Sequence, residues 1–208
     1  MNCIITFNTS ISMGTVCVNL NNEGSKLQVE NLDGVCIWEM PIAADLRGRF
    51  FKAYVEGSSS SFPVDFLTFE HFFTESKKYV FRGMHFQGSP HSTTKVVSIV
   101  KGKAIDFLLD LRKESTTYGK IQIQLLDEIA PVSIYIPAGI AHGYISLTEG
   151  TIISYRQDKA FCSNCDSGVS GKIVESYLPI KLIDTIRSDR DKVLKDFANF
   201  EYQSKCNL

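Results

Sequence analysis

Apolar residues recur every second position over much of the chain. Ile121, Ile123 and Leu125 alternate with glutamines, and Val132, Ile134 and Ile136 alternate with Ser133 and Tyr135. That period of two belongs to strands with one buried face. Val96–Val100 and Ala104–Leu109 are more continuously apolar, as in strands buried on both faces. Turn residues separate these runs at short spacing: Gly88 with Pro90, Gly102, Gly119, Pro131, Pro137 with Gly139, and Gly150. Strand after strand from Val35 to Tyr155 predicts an all-β antiparallel sandwich or barrel. No Gly-rich strand-to-helix turn suggests a dinucleotide fold or a phosphate loop. Only the tail reads as helix. Ser188 and Asp191 have capping-box spacing, and Val193, Leu194, Phe197 and Phe200 follow near period 3.6.

Two stretches stand apart. Residues 1–30 are rich in Asn, Ser, Thr and Gly, alternate weakly, and are expected to form a peripheral extension. Residues 31–208 then make one domain. Gly57 followed by four serines reads as a surface loop.

Composition narrows the function. The 208 residues are 44% hydrophobic and 22% charged, which is ordinary globular usage. Lys plus Arg is 22 against 23 Asp plus Glu, for a net charge of −1. A protein that holds nucleic acid through a broad basic field carries a clear positive excess, so that class is set aside. The first 24 residues hold no Lys or Arg, and no apolar run reaches the roughly 18 residues of a membrane span. The chain therefore reads as cytoplasmic, with no membrane partner.

Six cysteines are too few for a disulfide scaffold. Only Cys162 and Cys165 are close. They supply two donors where structural zinc takes four. No second C-x-x-C and no closely spaced His pair supplies the rest, so they read as loop thiols in a reducing cytosol and no metal is expected.

The chemistry-bearing candidates sit beside glycines. His85 lies in Phe81-Arg-Gly-Met-His-Phe-Gln87, and His142 in Ile136-Pro-Ala-Gly-Ile-Ala-His-Gly143. A histidine at the end of a strand is a candidate base, and a nearby glycine lets backbone or ligand approach. His71 and His91 read as surface residues. Arg47, in Asp45-Leu-Arg-Gly-Arg49, and Arg82 are cations beside glycines. If they converge on one cavity they suit a diphosphate, which guanidinium clamps in bidentate fashion.

The string Arg82–Gln87, Lys95, Asp106–Gly119, Ile136–Gly143 and Tyr155, in that order and spacing, resembles the dTDP-4-dehydrorhamnose 3,5-epimerase family of sugar-nucleotide enzymes. Asp45–Phe51 is similar to that family's early Arg-Gly-Phe segment, and Ser188-Asp-Arg-Asp191 to its late Ser-x-Lys/Arg-Asp segment. The resemblance covers about residues 33–200. It implies a cupin-type jelly roll that acts without a cofactor, and homodimers that exchange an N-terminal strand and so carry Arg47 into the partner's site. The implied substrate is a nucleoside-diphosphate 4-keto-6-deoxyhexose, epimerised at C3, C5 or both through an enolate.

The resemblance also implies residue roles. His85 is the base, Asp191 fixes its tautomer, Tyr155 is the acid on the other face, and Lys95 stabilises the enolate oxygen. Arg47 and Arg82 hold the diphosphate, His142 lines the sugar site, Phe161 packs on the sugar nucleotide, and Arg190 helps bind the nucleotide. Gln87 and Asp166 complete the substrate-binding set. Departures fall on groups that touch base and ribose. Glu70 and Phe72 replace amides, Lys52 reverses a charge, and the Trp-Asn-Asp stretch after the tyrosine is missing. Retained chemistry with altered recognition is the expectation. The alternatives are a 3,4-ketoisomerase, a non-catalytic sugar-nucleotide-binding cupin and, more distantly, a metal-dependent oxygenase.

Overall fold

Along Thr151–Gln157 every second residue is buried and those between are half-buried. That strand runs through the middle of a sheet. The computed structural model describes residues 31–53 and 66–202. The expected extension at 1–30 and serine loop at 57–61 lie outside the described residues.

The described residues form twelve strands: β1 Cys36–Glu39, β2 Ile42–Asp45, β3 Gly48–Phe51, β4 Glu70–Ser76, β5 Phe81–Gln87, β6 Lys95–Lys101, β7 Lys103–Asp110, β8 Ile121–Asp127, β9 Val132–Ile136, β10 Ile140–Ser146, β11 Thr151–Gln157 and β12 Asp166–Gly168. They form two five-stranded sheets, ordered β1-β9-β6-β11-β4 and β12-β5-β10-β7-β8, and a separate hairpin of β2 and β3. Every strand pairing within these sheets is antiparallel. This is the cupin-type β-sandwich that the alternation and the resemblance led us to expect.

Strand periodicity divides the apolar residues between two layers. Val97, Ile99, Ile134 and Ile153 of the first sheet meet Leu108, Leu126, Ile140 and Tyr144 of the second and form the inter-sheet core. Other residues of the second sheet, among them Phe81, Met84, Phe107 and Ile145, point outward into a second core. That face would be wet if left bare. Val169, Val174 and Leu182 cover it, with Phe197 and Phe200 packed against its rim. Each fully buried side chain of this size contributes about 1.5–3 kcal/mol, which keeps the coil after β12 attached to the sandwich.

The tail departs from its sequence pattern. Ser188 caps as expected, its hydroxyl accepting from the Asp191 N–H at 3.1 Å. The helix α1, however, runs only from Asp189 to Lys192. The chain leaves helical geometry at Val193, which is 79% exposed. Lys195 turns its carbonyl to the Ser170 N–H, and Phe200 packs edge-on against Phe86. The spacing near 3.6 records docking on the outer core by short turns, not a continuous helix.

Candidate active site

Two glycines let β5 and β10 approach closely. A Cβ on Gly83, whose φ is +137°, would lie 2.5 Å from the Gly143 Cα, and one on Gly143 would lie 2.7 Å from the Arg82 carbonyl oxygen. The β10 register shifts between His142 and Tyr144, opposite this point. The result sets His142 directly across from His85. Arg-Gly-Met-His and Ala-His-Gly are thus two halves of one contact.

His85 Nε2 is 2.6 Å from Asp191 Oδ1. The Asp191 side chain is 4% exposed and the His85 side chain 26%, so the carboxylate lies behind the ring and the ring reaches solvent. The one-turn helix α1 and its Ser188 cap hold Asp191 there, and the Gly83 N–H donates to its second oxygen at 3.4 Å. Burial pushes this carboxyl up. Its hydrogen bond and attraction to His85, with help from Gly83 and Ser188, outweigh that and hold it below the ordinary carboxylate range. An ionised carboxylate only accepts, so His85 Nε2 carries the proton and Nδ1 is left as the base.

A second histidine–carboxylate pair lies deeper. His142 Nε2 is 2.7 Å from Asp106 Oδ2, with both side chains almost fully buried. Asp106 Oδ1 has no hydrogen-bond partner among the described residues. Burial pushes the Asp106 carboxyl up, against the pull of His142. Sequence reasoning gave Asp106 no role. Between Ala104 and Leu109 it is the one charge in an otherwise apolar run, and nothing local names its partner.

The facing sheet supplies Tyr155. Its Cα partner on β4 is Phe72. The two rings stack at 5.1 Å with 5° between planes, and the His142 ring meets Tyr155 edge-on at 5.7 Å. His142 therefore touches Tyr155 on one sheet and pairs with His85 on the other. Burial raises the phenol well above its usual value, and Tyr144 and Asp106 add to this. The phenol keeps its proton at neutral pH, as a proton donor must.

Lys95, at the start of β6, pairs with Gln157 of β11. Crowding by protein pushes its ammonium down and the Arg190 charge adds to that, while Asp166 pulls it back, leaving it at about 8. Asp166 in turn binds Arg190 at 2.7 Å. Arg82 crosses from β5 toward β4, donating to Ser76 Oγ at 3.1 Å and to the Glu75 carbonyl at 3.2 Å.

The residues chosen from sequence divide into three groups. The first holds His85, Asp191, His142 and Tyr155, linked by the contacts above with Phe72 stacked on Tyr155 and the Arg82 charge acting on its phenol, and beside it Lys95, Asp166 and Arg190, which interact with one another. Gln87, Glu70 and Phe161 form a rim. Both Glu70 oxygens are engaged, one by Gln157 Nε2 at 2.6 Å and the other by the Phe161 N–H at 3.0 Å. Phe161 itself is 61% exposed. The buried Gln87 amide bonds to loop backbone and Thr93. Arg47 and Lys52 are not brought to this cluster. Arg47 sits at the tip of the β2–β3 hairpin, 90% exposed and paired with Asp45 at 2.6 Å. Lys52 follows β3, with its ammonium 6.0 Å from the Phe50 ring.

The chain is similar in sequence and in fold to known proteins. Residues 30–199 match the family model described as dTDP-4-dehydrorhamnose 3,5-epimerase. The protein of that name from Methanothermobacter thermautotrophicus is 30% identical over 166 residues, which is 78% of this chain and 89% of the relative. The dTDP-4-dehydrorhamnose 3,5-epimerase structure from Sulfolobus tokodaii has a TM-score of 0.75 and 27% identity, covering 83% of this chain and 96% of that one. The one from Bacillus anthracis, solved with TDP and PPi bound, has a TM-score of 0.73 and 28% identity, covering 80% and 96%.

Proposed function

The chain belongs to the dTDP-4-dehydrorhamnose 3,5-epimerase family, and from that premise we propose that it epimerises C3, C5 or both of a nucleoside-diphosphate 4-keto-6-deoxyhexose. The observation that carries this reading is the placement of a carboxylate-backed imidazole and a protonated phenol on facing sheets, with His142 bridging them.

The C4 ketone acidifies the hydrogens on C3 and C5. His85 Nδ1 takes one of these protons, and the electron pair moves into the ring to give an enolate with its charge on the C4 oxygen. Lys95, still mostly charged at neutral pH, stabilises that oxygen where charge develops. Tyr155 then gives its proton to the same carbon from the opposite face. Solvent resets both groups, so the reaction is redox-neutral and the sugar gains and loses one hydrogen. His142, with Asp106 behind it, lines the ring.

Arg82 and Arg190 hold the negative nucleotide. The exposed β2–β3 hairpin delivers Arg47 to the site of a second copy in a homodimer, which accounts for a guanidinium so far from its own chain's cluster. Size-exclusion chromatography with light scattering tests that arrangement, and a monomer at micromolar concentration counts against it.

Glu70 spends both oxygens on Gln157 and the Phe161 backbone. It holds the loop in place instead of reading the base. Nucleotide recognition here thus differs from a site with an amide at this position. Incubation with several nucleoside-diphosphate 4-keto-6-deoxyhexoses, followed by resolution of the product stereoisomers, tests the activity. An unaltered configuration in every case contradicts it.

A further inference from the structure

The loop thiols Cys162 and Cys165 are joined in space by His91, 74 residues away from Cys165. Both Sγ atoms and a ring nitrogen of His91 lie within 4.8 Å of one another. His91 Nδ1 is 3.2 Å from Cys165 Sγ. Tetrahedral zinc, with Zn–S of about 2.3 Å and Zn–N of about 2.0–2.1 Å, sets its donors roughly 3.5–3.8 Å apart. The three donors meet that spacing with small side-chain shifts.

Both donor loops are braced. Cys162 to Cys165 forms a tight turn, in which the Cys165 and Asp166 N–H groups donate to the Cys162 carbonyl at 3.0 and 2.9 Å. The Gly88 N–H donates to the Cys165 carbonyl at 3.0 Å. Buried Gln87 joins the two loops. Its Oε1 accepts from the Cys162 N–H at 2.8 Å, and its Nε2 donates to the His91 carbonyl at 2.7 Å. Supporting contacts of this kind orient the donors of a metal site.

We propose that His91, Cys162 and Cys165 bind one Zn²⁺, with a fourth position left for a further donor such as water. Binding places two thiolates and a neutral imidazole on the ion and releases the two thiol protons to solvent. The metal clamps the β5–β6 loop, which carries His91, to the β11–β12 loop, which carries Cys162. Phe161 precedes Cys162, so the clamp fixes the backbone of the aromatic at the site rim. The role is structural, and proton transfer at His85 takes place without it.

Metal analysis and titration test this on the full chain, purified under reducing, anaerobic conditions. About one zinc per chain is expected. After chelator stripping and desalting, Co²⁺ should titrate to one equivalent, with thiolate-to-metal charge transfer and the visible bands of a tetrahedral ion, and Zn²⁺ should abolish both. His91→Ala and Cys162→Ser should each weaken zinc binding by more than the order of 10–100-fold that follows loss of a supporting contact. Zinc should raise the Tm of the wild type and leave that of His91→Ala unchanged. Circular dichroism of the two variants checks that they fold. The proposal fails if the reduced, stripped wild type takes up neither ion, which would leave His91 and Cys165 as a hydrogen-bonded thiol and imidazole. It fails equally if both folded variants bind zinc as tightly as the wild type.

Discussion

His85 and Asp191, 106 residues apart, meet at 2.6 Å because a single capped turn after the outer coil points a carboxylate back at β5. The pair sets which imidazole nitrogen is free. Asp191→Asn keeps the size and loses the fixed acceptor, so the ring is no longer held in its reactive tautomer. The expected result is a fall in kcat of roughly 10²–10⁴-fold. Nucleoside-diphosphate affinity should stay within about twofold, since the lost contact matters only as the proton moves. Steady-state kinetics and titration calorimetry measure the two quantities separately.

Tyr155 is the donor on the second face. In Tyr155→Phe the enolate still forms at His85 but regains its proton from the side it left. Inverted product should drop by about 10²-fold or more. Exchange of the same carbon-bound hydrogen with solvent should continue with retained configuration. NMR of recovered substrate in D₂O reads both outcomes at once.

Lys95 gives a pH dependence. Its ammonium titrates at about 8 in the free protein, and only the charged form stabilises the enolate oxygen. The ratio kcat/KM, which reports the free enzyme, should decline as pH rises through that value. Lys95→Arg keeps its charge well beyond it, so the alkaline limb should move to higher pH even if the maximum is lower. A pH–rate profile of both proteins checks this.

Asp110 contributes to stability. Its side chain is fully buried. Burial pushes the carboxyl up, but Arg112, Thr117 and Ser115 outweigh it and bring it to about 2, from an ordinary value of 3.8. The folded value lies below the unfolded one, so the contribution is full above about pH 4 and is lost as pH falls toward 2. At 1.36 kcal/mol per unit it amounts to about 2 kcal/mol. Urea denaturation of wild type and Asp110→Asn between pH 7 and pH 3 should show a gap that narrows with acid.

The two sheets were legible because strand residues alternate. Val132–Ile136 is a strand with the bounds its pattern suggested. Arg82, His85, Tyr155 and Asp191 were legible because their local strings, in order, resemble one family. Three features were not legible, each because tertiary packing decides it. Asp106 hides in an apolar strand and is explained only by His142 across β10. The tail's helical spacing is satisfied by short turns docked on the outer core. His91 joins the cysteine pair only when the β5–β6 and β11–β12 loops come together, which no local spacing announces.

The central claim is that His85 removes a carbon-bound proton that Tyr155 replaces from the other side. Incubating the wild type and His85→Asn with a nucleoside-diphosphate 4-keto-6-deoxyhexose in D₂O, and following each ring hydrogen by proton NMR, tests it most directly. The wild type should place deuterium at C3, C5 or both with inversion, and His85→Asn should lose that incorporation by roughly 10²–10⁴-fold. Deuterium entering at the wild-type rate in His85→Asn would contradict the account.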